Sequence, residues 1–254
     1  MRDRPGSAWF VILPLLSGLL LTGCIKIDST LDVASDGSGT WRLVYGIPLH
    51  MIRQMEMSRN VSLDLEKAAR PQGGSLVDRA QDIPYLFDED RIRQRFKALE
   101  VQGIELSKIQ TRSSGGWRNV DLSIKFTRLE TLLRQPFLDS LGVSLSGAGT
   151  SSCKLVISLP GMGKTEMLPD PEDTAVSQKV SPFLNGLRVV SRIGFPGDIR
   201  NSTSFASDGR RATWEWDYDK DARALLRLSR DKMIVIFDSS GTSLRDFSKP
   251  ALQE

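Results

Sequence analysis

Along residues 25–33 the side chains alternate, with Ile25, Ile27, Leu31 and Val33 on one face and Lys26, Asp28, Thr30 and Asp32 on the other. A period of two marks a half-buried strand. Ser35-Asp36-Gly37-Ser38-Gly39 then supplies turn residues before Trp41, Leu43, Tyr45 and Ile47 resume the alternation, so the two runs predict a β-hairpin. Between residues 48 and 70 the period lengthens. Met51, Ile52 and Met55 share one side, and Leu63, Leu65 and Ala69 mark a second short helical piece, stopped by Pro71-Gln72-Gly73-Gly74. A clearer helix is predicted over 88–102, with Ile92, Phe96 and Leu99 facing inward, Asp88, Glu89 and Asp90 at its positive end and Gly103 as its cap. Arg91, Arg93 and Arg95 fall on its solvated face.

Residues 104–126 read as a second hairpin that turns at Ser113-Ser114-Gly115-Gly116, because Val120, Leu122, Ile124 and Phe126 alternate with Asp121, Ser123 and Lys125. Leu129, Leu132, Leu133 and Leu138 predict a helix broken at Pro136. Further strands are expected at 154–159, 188–195, 212–218 and 232–237, with a polar, partly helical connection over 169–186. In the 212–218 strand Trp214 and Trp216 point to one side together with Ala212 and Tyr218, as expected of core anchors. The pattern fits an α+β fold: a mostly antiparallel sheet of seven or eight strands with helices packed on one face.

The stretch ahead of the first strand follows a different rule. Arg2 and Arg4 give a basic start, an apolar run of about 14 residues is interrupted by Pro14 and Ser17, and the segment closes with Leu21-Thr22-Gly23-Cys24. A spanning helix needs ~20 apolar residues. The segment resembles a bacterial lipoprotein signal peptide with its lipobox, which implies cleavage between Gly23 and Cys24 and a diacylglycerol on the Cys24 thiol. Each buried methylene contributes ~0.8 kcal/mol, so two or three acyl chains tether the body firmly to a membrane. The expected organisation is a signal peptide over 1–23, one domain over 24–238 and a loosely held tail over 239–254. The expected location is the cell envelope. That means the outer side of the cytoplasmic membrane or, in a host with two membranes, the periplasmic face of the outer one.

Charge and chemistry narrow the function further. The chain carries 34 Lys or Arg against 31 Asp or Glu, a formal charge of +3, which argues against a nucleic-acid partner. With two cysteines and one histidine, imidazole and thiol chemistry have little material to work with. Gly161-Met162-Gly163-Lys164-Thr165 imitates the end of a nucleotide loop, but Ser158 stands where its first glycine belongs and Pro169 and Pro171 block the helix that must follow. It is read as a loop, and no nucleotide is expected. Cys153 shares a strand face with Leu155 and Ile157 and reads as a small buried residue. His50 ends the first hairpin without a recognisable partner. Asp88, Glu89 and Asp90, like Asp217 and Asp219, lack ordered metal-ligand spacing and read as helix-start and turn residues. No catalytic residue, metal or cofactor is expected, and the chain is not read as an enzyme.

The order of features along the chain is itself distinctive. The Gly23-Cys24 lipobox comes first, followed by an immediate strand and the Ser35–Gly39 turn. Gly116-Trp117-Arg118-Asn119-Val120 then runs on to Phe126 and into Leu129–Leu133, and Phe195-Pro196-Gly197, Asn201, Asp208-Gly209 and Thr213-Trp214 close the series. This order resembles the LppM-like bacterial lipoprotein domain over nearly all of the chain after Cys24. The resemblance implies an envelope lipoprotein with an α/β body similar to lipid-binding folds, and no catalytic motif. Family members often carry a C-terminal membrane helix, which is not expected here, so anchorage is expected to rest on Cys24 alone. Two roles follow as expectations: holding a lipid or glycolipid near the membrane or, alternatively, serving as an envelope scaffold with a closed core and no small ligand.

Overall fold

The first two alternating runs pair as predicted, forming β1 (Lys26–Val33) and β2 (Gly39–Pro48) in full antiparallel register. The protein is described here from a computed structural model that covers residues 25–53, 57, 84–138, 141–158 and 184–250. The second predicted hairpin is β3 (Ile104–Ser114) with β4 (Trp117–Phe126). Its turn is the pair Gly115-Gly116, with φ of 58° and 80°. Two successive positive φ values are what a two-residue turn between twisted strands requires, and glycine supplies them without strain.

The remaining strands are β5 (Gly142–Ser146), β6 (Cys153–Ser158), β7 (Arg188–Gly194), β8 (Ile199–Ser202), β9 (Ala206–Asp208), β10 (Arg211–Asp217), β11 (Lys232–Phe237) and β12 (Phe247–Lys249). The expectation of one mostly antiparallel sheet of seven or eight strands needs correction. The twelve strands of the described residues form two sheets, ordered β3-β4-β2-β1-β7-β10-β9 and β12-β5-β6-β11-β8. The larger sheet is mixed, because β1 and β7 run parallel from the pair Lys26–Arg188 to the pair Asp32–Gly194. Antiparallel neighbours need only a tight turn, whereas a parallel pair needs a long crossover, and this one is supplied by everything between β1 and β7.

Helices are few and short. The segment predicted over 88–102 is α1 (Glu89–Lys97) followed by a 3₁₀ turn, Glu100–Gln102. Asp88 caps α1 by accepting from the Arg91 N–H, and Gly103 ends the turn at φ 76°. The leucine run gives α2 (Leu129–Leu133), and Pro136 opens a separate 3₁₀ turn, Pro136–Leu138. A third helix, α3 (Ala224–Arg230), lies between β10 and β11, where no helix is predicted. Residues 49–53 are helical as expected. The helical piece at 63–69, the Gly161–Thr165 segment and most of the 169–186 connection lie outside the described residues.

Both sheets turn apolar faces to one continuous core. The larger contributes Leu31, Val120, Ile124, Ile193, Ala212, Trp214 and Trp216, and the smaller Leu145, Cys153, Leu155, Val235 and Phe237. They are stitched together by residues 199–208, which pair first with β11 and then, as β9, with β10. The rings of Phe195 and Phe237 meet at 4.6 Å across this seam. The region from Ser239 onward is also corrected. Far from hanging loose, residues 239–250 place Ser239, Leu244 and Phe247 in the interior, and β12 pairs with β5. Ser243 N–H further donates to Ser35 O in the first turn.

The Phe195-Pro196-Gly197 motif has a packing reason at this seam. A Cβ built on Gly197 would lie 1.8 Å from the Asp238 carbonyl oxygen, far inside contact distance. Gly197→Ala must therefore push β11 away from the turn. Overpacking of this kind costs about 1–3 kcal/mol, and a thermal-unfolding midpoint unchanged from the parent would contradict it.

Candidate functional site

The inner face of the larger sheet is assembled from strands distant in sequence. Val120, Tyr45, Ile27, Val189 and Trp216 form one row across it, and Leu122, Leu43, Ser29, Ser191 and Trp214 the next. The ends of these rows are deeply buried, but the middle is not: Ile27, Leu43, Tyr45 and Val189, with Ser29 and Ser191, are only half-buried. The middle is thus an apolar strip carrying two hydroxyls. Its borders are fixed by side-chain geometry. Trp41 donates its indole N–H to Ser29 Oγ at 2.8 Å and stacks on Phe137 with ring centroids 6.1 Å apart. Tyr45 donates its hydroxyl to the Leu86 carbonyl and packs against Phe87. Burial pushes the Tyr45 hydroxyl well above its ordinary pKa, so it stays neutral and acts as a fixed donor.

The opposite face of the same sheet is a lattice of ion pairs. Arg42 grips Asp121 with two bonds of 3.0 and 3.1 Å, and Lys108 adds a third at 2.6 Å. Hydrogen bonding from Arg42, then from Lys108, holds the Asp121 carboxyl below its ordinary range. Arg192 pairs with Asp28, Arg211 with Asp32, and Arg188 and Lys220 both with Glu215. Exposed pairs of this kind are worth ~0–1 kcal/mol each, so the lattice fixes the electrostatic character of the face more than its stability.

The residues singled out for chemistry are widely separated in role. Gly23 and Cys24 lie outside the described residues. Ile25, directly after them, is buried, and its carbonyl accepts from the Arg188 N–H at 3.0 Å. Cys153 is fully buried, and desolvation pushes its thiol up to about 11, which leaves it without thiolate character at neutral pH. His50 is exposed in the helical turn after β2. Glu89 accepts from the Thr111 N–H, Asp217 accepts from the Asp219 N–H in the turn after β10, and Asp219 accepts from the Gly186 N–H ahead of β7. Among the described residues no three His, Cys, Asp or Glu side chains converge as a metal site would require. No described helix is long and apolar enough to cross a membrane.

One further feature, at Phe205, carries no signal in the local sequence pattern. Phe205 is 53% exposed, meets the edge of the Trp216 ring at 6.4 Å and lies 4.4 Å beneath the Arg227 guanidinium. It borders an open cleft of about 240 Å³ whose other walls include Glu215, Asp217 and Lys220. Its charged walls and volume below the ~300–1,000 Å³ of ordinary ligand pockets make it a poorer apolar site than the strip.

No protein-family model matches the chain. No curated protein matches it either. Among solved structures it is similar to the folded domain of the Mycobacterium tuberculosis LppM protein, determined by NMR, at a TM-score of 0.40 and 10% identity, with 85% of this chain and 91% of that one covered.

Proposed function

We propose that this chain is a membrane-tethered bacterial envelope lipoprotein of the LppM-like type, not an enzyme, and that it holds the acyl part of a lipid or glycolipid close to the bilayer. The anchor is the acylated Cys24, whose lipobox is the most specific motif in the sequence. The observation that carries the ligand reading is the half-buried strip of Ile27, Leu43, Tyr45 and Val189. Apolar surface left partly uncovered in the middle of the sheet is suited to an acyl chain, and Ser29 and Ser191 offer hydroxyls to an ester or sugar. A small amount of imidazole and thiol, in the exposed His50 and the buried Cys153, supports a non-catalytic role.

A second reading is a scaffold that presents its ion-paired outer face to an envelope protein, with no small ligand. Native mass spectrometry of the full chain, purified from membranes, separates the two. A retained lipid in addition to the covalent acyl groups is expected, with its loss in Leu43→Ser at an unchanged unfolding midpoint. Protein free of any non-covalent lipid would favour the scaffold.

A further inference from the structure

One end of the larger sheet differs from the rest in access, and on its β3–β4–β2–β1 side it differs in charge as well. It is the end at which β1 begins, and β1 is the central strand, with three strands on either side. Only Ile25, itself fixed by burial and by the bond from Arg188, stands between Lys26 and Cys24. At ~3.5 Å per extended residue, a lipid on Cys24 holds this end within about 10 Å of the headgroups. That is comparable to the Debye length of ~8 Å at physiological salt, so charges here interact with the membrane surface.

The groups at this end suit such a surface. Lys26 Nζ lies 4.4 Å over the ring of Trp117, which is half-buried at the start of β4. Trp117 pairs with Pro48 on one side and Ser114 on the other, next to the exposed Gly115-Gly116 turn. A Cβ built on either glycine meets nothing within 4 Å. Arg112 is exposed on β3, and Arg118 donates to Ser113 Oγ at 3.1 Å. Lys26, Arg112 and Arg118 have no carboxylate partner among the described residues. By contrast Arg42, Arg192 and Arg211, further along the outer face of the same sheet, are all paired, as is Arg188, which lies beside Lys26 on β7 and is held by Glu215 and Asp217. Unpaired cations around an indole at a blunt, open turn are the composition of a membrane-interface anchor.

We propose that this end of the sheet, built on Lys26, Arg112, Trp117 and Arg118, is a second membrane contact that rests on anionic phospholipid headgroups. The contact sets the body upright, with the β3–β4 turn down and the Asp208–Arg211 turn away from the bilayer. It rests on the reading of Cys24 as the lipid anchor.

The test places an environment-sensitive fluorophore at Ser114→Cys, and in a second protein at Ser207→Cys on the far end, in the full acylated chain reconstituted in vesicles. With phosphatidylcholine vesicles containing phosphatidylglycerol, the label at 114 is expected to shift to the blue and to be quenched by brominated lipid, while the label at 207 stays water-like. Arg112→Glu combined with Arg118→Glu is expected to abolish the shift. A water-like label at 114 in vesicle-bound protein overturns the proposal, as does a shift indifferent to the two glutamates. Incorporation of labelled fatty acid is scored separately, and vesicle pelleting is repeated on Cys24→Ser. If Cys24 takes no lipid, pelleting that still depends on phosphatidylglycerol and on the two arginines sustains the membrane contact, and pelleting indifferent to them overturns it.

Discussion

Trp214→Ala is expected to destabilise the body by about 3–5 kcal/mol, the range for truncating a buried aromatic. Trp214 is 2% exposed and sits in β10 between the fully buried Ala212 and the 3% exposed Trp216. Its indole N–H points to Thr203 Oγ1 at 3.4 Å, and that hydroxyl in turn donates to Lys232 O and accepts from Ile234 N–H. The residue therefore fills the core and also abuts the chain that joins the two sheets. A loss of this size is a large fraction of the ~5–15 kcal/mol by which native domains are stable, so the variant should show a much lower urea midpoint or fail to accumulate. A midpoint within about 1 kcal/mol of the parent would mean that the indole is not a core anchor.

Cys24→Ser is expected to have the largest effect on location and almost none on folding. Without the thiol no diacylglycerol can be attached, and the chain should move from the membrane pellet to the soluble fraction. The first buried side chain of the described body is Ile25, so its unfolding midpoint should not move. Incorporation of labelled fatty acid into the serine variant, or membrane retention through a high-salt wash, would refute the lipobox reading. The membrane contact at the β3–β4 turn is too weak to retain the protein through such a wash, because interactions between exposed charges are screened within ~3 Å at molar salt.

The two long hairpins were legible because each residue of β1, β2 and β4 reports its own face, and because Asp36-Gly37 and Gly115-Gly116 mark the turns. The same holds for the core placement of Trp214 and Trp216. What was not legible depended on pairing. Strands β8, β9 and β12 are three or four residues long with sequences such as Ile199-Arg200-Asn201-Ser202, too short and too polar to alternate, and they exist because a neighbouring strand offers backbone partners. Helix α3 has no side-chain cap at its start and is only seven residues long, so it depends on Ala224, Leu225 and Leu228 packing into the core. The half-buried strip follows from the parallel register that places Val189 beside Ile27, which no local pattern encodes. The ion-pair lattice was hidden for the same reason: Arg42 and Asp121 are 79 positions apart.

The parallel pairing of β1 with β7 also imposes an order in time. A chain made from its N-terminus delivers β1, β2, β3 and β4 first, and these can zip together through neighbouring antiparallel contacts. The other edge of β1 must wait for a strand that arrives ~160 residues later, a closure whose entropic cost grows only slowly with length but whose delay does not. Until then the central strand of the future sheet is an open edge with free N–H and C=O groups, the kind of surface that recruits other chains. Slow, long-range closure at the middle of the sheet therefore makes nascent molecules vulnerable to one another.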